Sequence, residues 1–207
     1  MIRLLPLLTL LLLALAGPAA AMVKLHENPV PVEGNPADRL LSLPIEDSYY
    51  DGARKCTPKA SRPGMLALQR WLEANARGVF WGSYRCEKWG KGQASLHAEN
   101  RAIDWHLDAG VRADERAAEK LIRLLLAPDA AGNPQALARR MGVEELIWDC
   151  GYWGAGMTQF SEYDPCYGKR GKLKRKVNTT IAHRDHVHIG MTKRGAAART
   201  SFWSRGR

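Results

Sequence analysis

Hydrophobic positions change period several times along the chain, and each change marks a predicted element. Leu4 to Ala16 is an apolar, leucine-rich run. From residue 22 to about 60 the apolar positions are scattered among Pro29, Pro31, Pro36, Pro44 and Pro58, the pattern of an extended lead-in packed on a domain. Ser61-Arg62-Pro63 then opens a helix whose Met65, Leu68, Trp71 and Leu72 fall at helical spacing, and Gly78 closes it. Val79 to Cys86 and Ala102 to Leu107 carry the aromatic and β-branched character of strands. Asp114 to Leu126 is an amphipathic helix with Ala117, Leu121, Leu124 and Leu125 on one face. Asn133-Pro134 caps a shorter helix through Met141, and Glu145 to Asp149 and His186 to Met191 complete the strands. The order predicts one α+β domain over 61–207, a small antiparallel sheet with flanking helices. No internal repeat is visible.

Residues 1–21 read as a secretory signal: Arg3, the short apolar run, then Gly17-Pro18-Ala19-Ala20-Ala21. The run is about a dozen residues, short of the roughly 20 that span a bilayer, and no later stretch is a transmembrane candidate. The expected location is secreted, periplasmic or cell-envelope. In such an oxidising compartment the four cysteines predict two disulfides, with Cys56–Cys86 and Cys150–Cys166 favoured because sequential pairs close loops of moderate length. A cysteine zinc site is the disfavoured alternative, since no C-x-x-C pair exists.

The 207 residues are 45% hydrophobic and 25% charged, a globular composition, with a net charge of +10. Six of the eight residues from Lys169 to Lys176 are basic. This is a solvated loop or an electrostatic contact for an anionic envelope polymer. No aromatics are interleaved with the charges, so no nucleic acid partner is expected.

Five of the six histidines fall in two segments, Ser95 to His106 and Ala182 to Ile189. His186 and His188 leave a strand on the same face, and a loop from His97 leads into the strand that carries Asp104. Lone strand histidines are usually packed or hydrogen-bonded side chains, but two clusters, each with an aspartate, suit a metal. Two imidazoles and a carboxylate leave a fourth tetrahedral position for water, as in catalytic zinc sites, where the water's pKa falls to roughly 7. Such a set also suits cobalt or iron. Ser95 lacks a G-x-S-x-G context and reads as a structural hydroxyl. Trp105 should face the core, while His106 shares the face of Asp104. Trp148, Tyr152 and Trp153 fit core or cleft equally.

Ser95-x-His97, Arg101-Ala102-x-Asp104 and Asp185-x-x-His188 resemble the signature of zinc D-Ala-D-Ala carboxypeptidases and related peptidoglycan endopeptidases, which share the hedgehog/DD-peptidase fold. Tyr84-Arg85 is similar to the S-G-Y-R element of that superfamily. The strand Glu145 to Trp148 and the H-x-D-H-x-H ending are similar to a secreted branch. The resemblance covers about Pro63 to Met191. It implies one zinc per chain held by His97, Asp104 and His188, with Asp185 as general base. Arg85 would hold the substrate carbonyl or oxyanion, and His186 would be a nearby donor. Two departures stand out. Asn100 occupies a glycine position, so the loop differs or uses a left-handed asparagine. Asp185 replaces a glutamate, which makes His183 a rival base. The implied function is hydrolysis of amide bonds in peptidoglycan peptides, as carboxypeptidase or endopeptidase. The runner-up is a non-catalytic zinc-containing wall-binding module of the same fold. A secreted metal-dependent nuclease is disfavoured by the ligand spacing, and His183-Arg184-Asp185-His186 does not follow the order of the metallo-β-lactamase motif.

Overall fold

The computed structural model describes residues 29–204. The predicted signal segment and His26 lie outside the described residues. Helices are α1 (Pro63–Asn75), α2 (Arg112–Leu126), α3 (Ala136–Met141), α4 (Lys193–Ala196) and α5 (Ser201–Ser204). Strands are β1 (Val79–Gly82), β2 (Lys88–Gly90), β3 (Gln93–Ala94), β4 (Ala102–His106), β5 (Val143–Trp148), β6 (Gly151–Gly154), β7 (Ser161–Glu162) and β8 (His186–Met191). Six of the strands form one antiparallel sheet in the order β1-β4-β8-β5-β6-β7, and β2 pairs with β3 in a separate hairpin.

The two central strands, β4 and β8, determine what each face of the sheet does. Ile103 opposes Ile189 and Trp105 opposes Val187, and all four are buried with Leu68 and Leu72 of α1 and Leu121, Ile122 and Leu125 of α2. Burial of each such side chain contributes about 1.5–3 kcal/mol. On the opposite face the same register sets Asp104 against His188 and His106 against His186. Trp105 is core as expected, and its indole donates to the Arg77 carbonyl at 2.8 Å. Gly78 makes that fit possible: its φ is +122°, and a Cβ there would sit 2.3 Å from Trp105 Nε1. Trp148 and Trp153 are also fully buried, whereas Tyr152 lies on the histidine face opposite Ile147.

The strand expected over Val79–Cys86 stops at Gly82. Beyond it the chain leaves the sheet, because Cys86 is bonded to Cys56 and the Tyr84 hydroxyl donates to the Thr57 carbonyl at 2.7 Å. The second disulfide is Cys150–Cys166. The helix expected from Asn133-Pro134 begins at Ala136, since the Asn133 amide folds back on Asp129 at 2.9–3.0 Å. The lead-in from residue 29 to 60 contains one 3-10 helix, Pro36–Leu40, with a turn on each side of it, and no strand. Arg139 Nε donates to its Glu46 carbonyl at 2.6 Å, and its Asp38 carboxylate accepts from Ala130 N at 2.8 Å. Among the described residues no helix is long and apolar enough to cross a membrane.

Candidate metal centre

His97 is carried by a short 3-10 turn, Leu96–Glu99, laid across the sheet. Ser95 Oγ accepts from His97 N at 3.3 Å, so Ser95 is a capping hydroxyl. Asn100 closes the turn at φ 56°, the left-handed conformation that an asparagine tolerates in place of glycine. Its side chain also donates to Thr57 Oγ1 and the Pro58 carbonyl and accepts from Ala60 N, pinning the turn to the lead-in. On the sheet side, Leu96 occupies the space over Gly190, where a Cβ would lie 2.2 Å from Leu96 Cδ1. His97 Nδ1 donates to the Ser83 carbonyl at 2.7 Å, which leaves Nε2 as the lone-pair nitrogen.

That nitrogen meets two other ligand atoms. His97 Nε2 is 3.0 Å from Asp104 Oδ1 and 3.0 Å from His188 Nδ1, and the last two are 3.4 Å apart. A tetrahedral ion bound at 2.0–2.1 Å requires ligand atoms about 3.3 Å apart. His97, Asp104 and His188 are all buried, and together they can hold a metal ion. Burial pushes the His97 imidazolium down. Burial also opposes ionisation of Asp104, but contacts with His188 and His97 outweigh it and hold the carboxyl far below its ordinary range. For His188, burial is outweighed by Asp104 and Glu145 on its two sides, which lift it to about 9.

Three of the surrounding side chains singled out in the sequence are placed by their own contacts. Arg85 donates to Asp104 Oδ2 in a short contact and to Glu87 Oε1 at 2.9 Å, so two of its nitrogens clamp carboxylates of the protein itself. Asp185 turns away from the three ligand atoms: Oδ1 accepts from His186 Nδ1 at 2.7 Å and Oδ2 from Thr180 Oγ1 at 2.6 Å. His183 instead faces the cluster, its ring 4.6 Å from that of His186 and 5.9 Å from that of His188. Its Nδ1 donates to the Ile181 carbonyl at 3.0 Å, leaving Nε2 with the lone pair. Burial, reinforced by His188 and His186, pushes its imidazolium down to about 2, so the ring is neutral. His186 Nε2 is buried without a hydrogen-bond partner, 3.4 Å from Asp104 Oδ1.

Glu145 was not singled out in the sequence. Its Oε1 lies 3.0 Å from His188 Nε2, within ion-pair reach though not aligned as a hydrogen bond. Its Oε2 accepts from the Tyr50 hydroxyl at 2.7 Å and the Tyr152 hydroxyl at 3.4 Å. The available signal was two adjacent glutamates, Glu144 and Glu145, in an otherwise apolar strand. A bulge between Val143 and Glu145 lets both be buried. Glu144 joins Glu99 around Arg101, whose fully buried guanidinium also donates to the Met191 and Asp51 carbonyls. Arg101 therefore ties the lead-in, the His97 turn, β5 and the end of β8 into one frame.

No family model, curated protein or solved structure matches this chain.

Proposed function

We propose that this protein is a secreted zinc-dependent peptidase that hydrolyses amide bonds in peptidoglycan peptides. One observation carries the proposal: three buried ligand atoms are spaced as one face of a tetrahedron, and the His183 ring stands 5.9 Å from that of the ligand His188. Two nitrogens and one oxygen suit zinc better than magnesium or calcium, which favour sets of six or more oxygens. When bound, zinc supplies Lewis acidity and a water nucleophile near neutral pH.

The roles of the chain's own groups follow from their contacts. His97, Asp104 and His188 hold the ion. Arg85 fixes the outer oxygen of Asp104, leaving Oδ1 for the ligand cluster. His183 Nε2 accepts the attacking water's proton and returns it to the leaving amine, the task first expected of Asp185; burial keeps the ring unprotonated beforehand, and the negative charge that develops on the attacked group draws the proton to it. Asp185 positions His186 through Nδ1, and His186 Nε2 lies 3.4 Å from the ligand oxygen Asp104 Oδ1. The two disulfides are compatible with an oxidising extracellular compartment. The loop from Lys169 to Lys176 is exposed throughout and is the proposed contact for anionic wall polymers.

The test measures metal content and reaction together. The purified protein is analysed for metals, then incubated with purified peptidoglycan with and without a chelator and followed by mass spectrometry. One zinc per chain with chelator-sensitive release of a peptide or D-alanine is expected, and the fragment mass names the bond. Zinc without release from peptidoglycan would overturn the peptidase in favour of the zinc-containing binding module. Absence of metal would overturn both.

A further inference from the structure

The geometry points to a substrate lane beside the metal centre, walled by Trp81 and open at Gly82, that takes an extended peptide with an aliphatic side chain. This inference rests on the peptidase reading and names how its substrate is held. β1 is the edge strand of the sheet, so among the described residues one side of its backbone has no neighbouring strand. Such an edge can accept an extended peptide as an added strand. Its pairing with β4 slips by one residue between Phe80 and Gly82, which makes Trp81 the extra residue of a bulge.

The bulge aims the Trp81 indole over the site face. Its ring centroid lies 5.1 Å from that of His106 and 5.6 Å from that of His186, so one side of the indole is held against two imidazoles. His106 is itself fixed, its Nδ1 donating to the Asp185 carbonyl at 2.7 Å. Trp81 nevertheless remains 52% exposed, and Val79 on the same strand 57% exposed. A large indole packed against two imidazoles and left half in water beside a ligand cluster gains apolar burial when a ligand covers it.

Gly82 supplies the opening. It pairs directly with Asp104, and a Cβ built on Gly82 would meet nothing within 4 Å. The next strand position after the indole is thus empty space against a metal-ligating residue. A peptide added at the free edge of β1 runs beside Trp81 and Gly82 with alternate side chains turned to the site face, so an aliphatic side chain covers Trp81 and the room over Gly82 lets the chain bend towards Asp104. A sugar ring could cover an indole too, but it makes no use of an unpaired strand edge.

The test uses the full chain as wild type, Trp81→Ala, Trp81→Phe and Gly82→Leu. The probes are a soluble cross-linked stem-peptide dimer and the peptide-free disaccharide of the glycan strand. Peptide affinity is measured by calorimetry, and metal content and cleavage are followed in parallel. Trp81→Ala should weaken peptide binding about tenfold and Trp81→Phe less than threefold, with metal content unchanged in both. Gly82→Leu should fill the lane and abolish peptide binding while retaining the metal. Peptide affinity within twofold of wild type in both Trp81→Ala and Gly82→Leu would overturn the lane. Disaccharide binding that is lost in Trp81→Ala would overturn the peptide occupant in favour of a glycan. A wild-type protein that neither binds nor cleaves the dimer would overturn the peptidase reading and this inference with it, whereas wild-type cleavage with indifferent variants sinks the lane alone.

Discussion

His188 Nε2 lies 3.0 Å from Glu145 Oε1, so a carboxylate from the neighbouring strand backs the ligand histidine on the side away from His97. Carboxylates in this position fix ring orientation and raise ligand basicity, and their loss typically costs 10–100-fold in metal affinity. Glu145→Ala should weaken zinc binding by about that factor while the fold is kept. Competition against a chromogenic chelator measures it; an affinity equal to wild type would show that Glu145 does not support His188.

Removal of His183 separates binding from chemistry. His183→Ala should retain the metal and lose turnover by about 10²–10⁴-fold, the range of a general base. Asp185→Asn should also retain the metal but lose less activity, because its oxygens touch His186 and Thr180 rather than the ligand cluster. The reverse ranking of the two variants would return the base assignment to Asp185.

Gly190 is required by the turn above it. A Cβ at this position would lie 2.2 Å from Leu96 Cδ1 and 3.1 Å from Glu145 Cβ. Gly190→Ala should cost about 1–3 kcal/mol of stability and weaken metal binding by displacing the residue next to His97. Adding Leu96→Ala should restore metal affinity by giving the methyl room. If the double variant binds no better than the single one in a thermodynamic cycle, the two positions are not coupled as described.

Two tyrosines share the Glu145 carboxylate, and burial together with that negative charge holds Tyr50 and Tyr152 well above the ordinary phenol value. Raised native values mean that the stabilisation is complete below about pH 10 and is lost as pH rises beyond it. In an alkaline titration of the six tyrosines, part of the phenolate absorbance should therefore appear only with the loss of folded structure. Uniform ionisation near pH 10 with the native fold intact would contradict this environment.

The sequence by itself determined the features that depend on local period and spacing. Alternation in β4 and β8 put Asp104 with His106 and His186 with His188, and separated them from Ile103, Trp105, Val187 and Ile189, because successive strand residues face opposite ways. The α+β class and the amphipathic α2 were legible on the same local grounds, whereas Cys56–Cys86 and Cys150–Cys166 were only the favoured one of three pairings until the folded chain brought those sulfurs together. The left-handed Asn100 was one of two alternatives that the sequence left open.

Only the tertiary structure decided the rest, because it depends on register and loop path between distant segments. Tyr50 and Glu145 are 95 residues apart in the chain, and no periodicity encodes their contact. One-residue bulges in β1 and β5 re-aim Trp81 and bury Glu144 beside Glu145, and such a slip leaves no mark on an apolar pattern. The loop before β8 turns the Asp185 carboxylate onto His186 and Thr180 and carries His183 to the cluster at φ 51°. A spacing can say that four side chains leave two strands on one face. Which of their neighbours reaches a given nitrogen is set by where the folded backbone brings it.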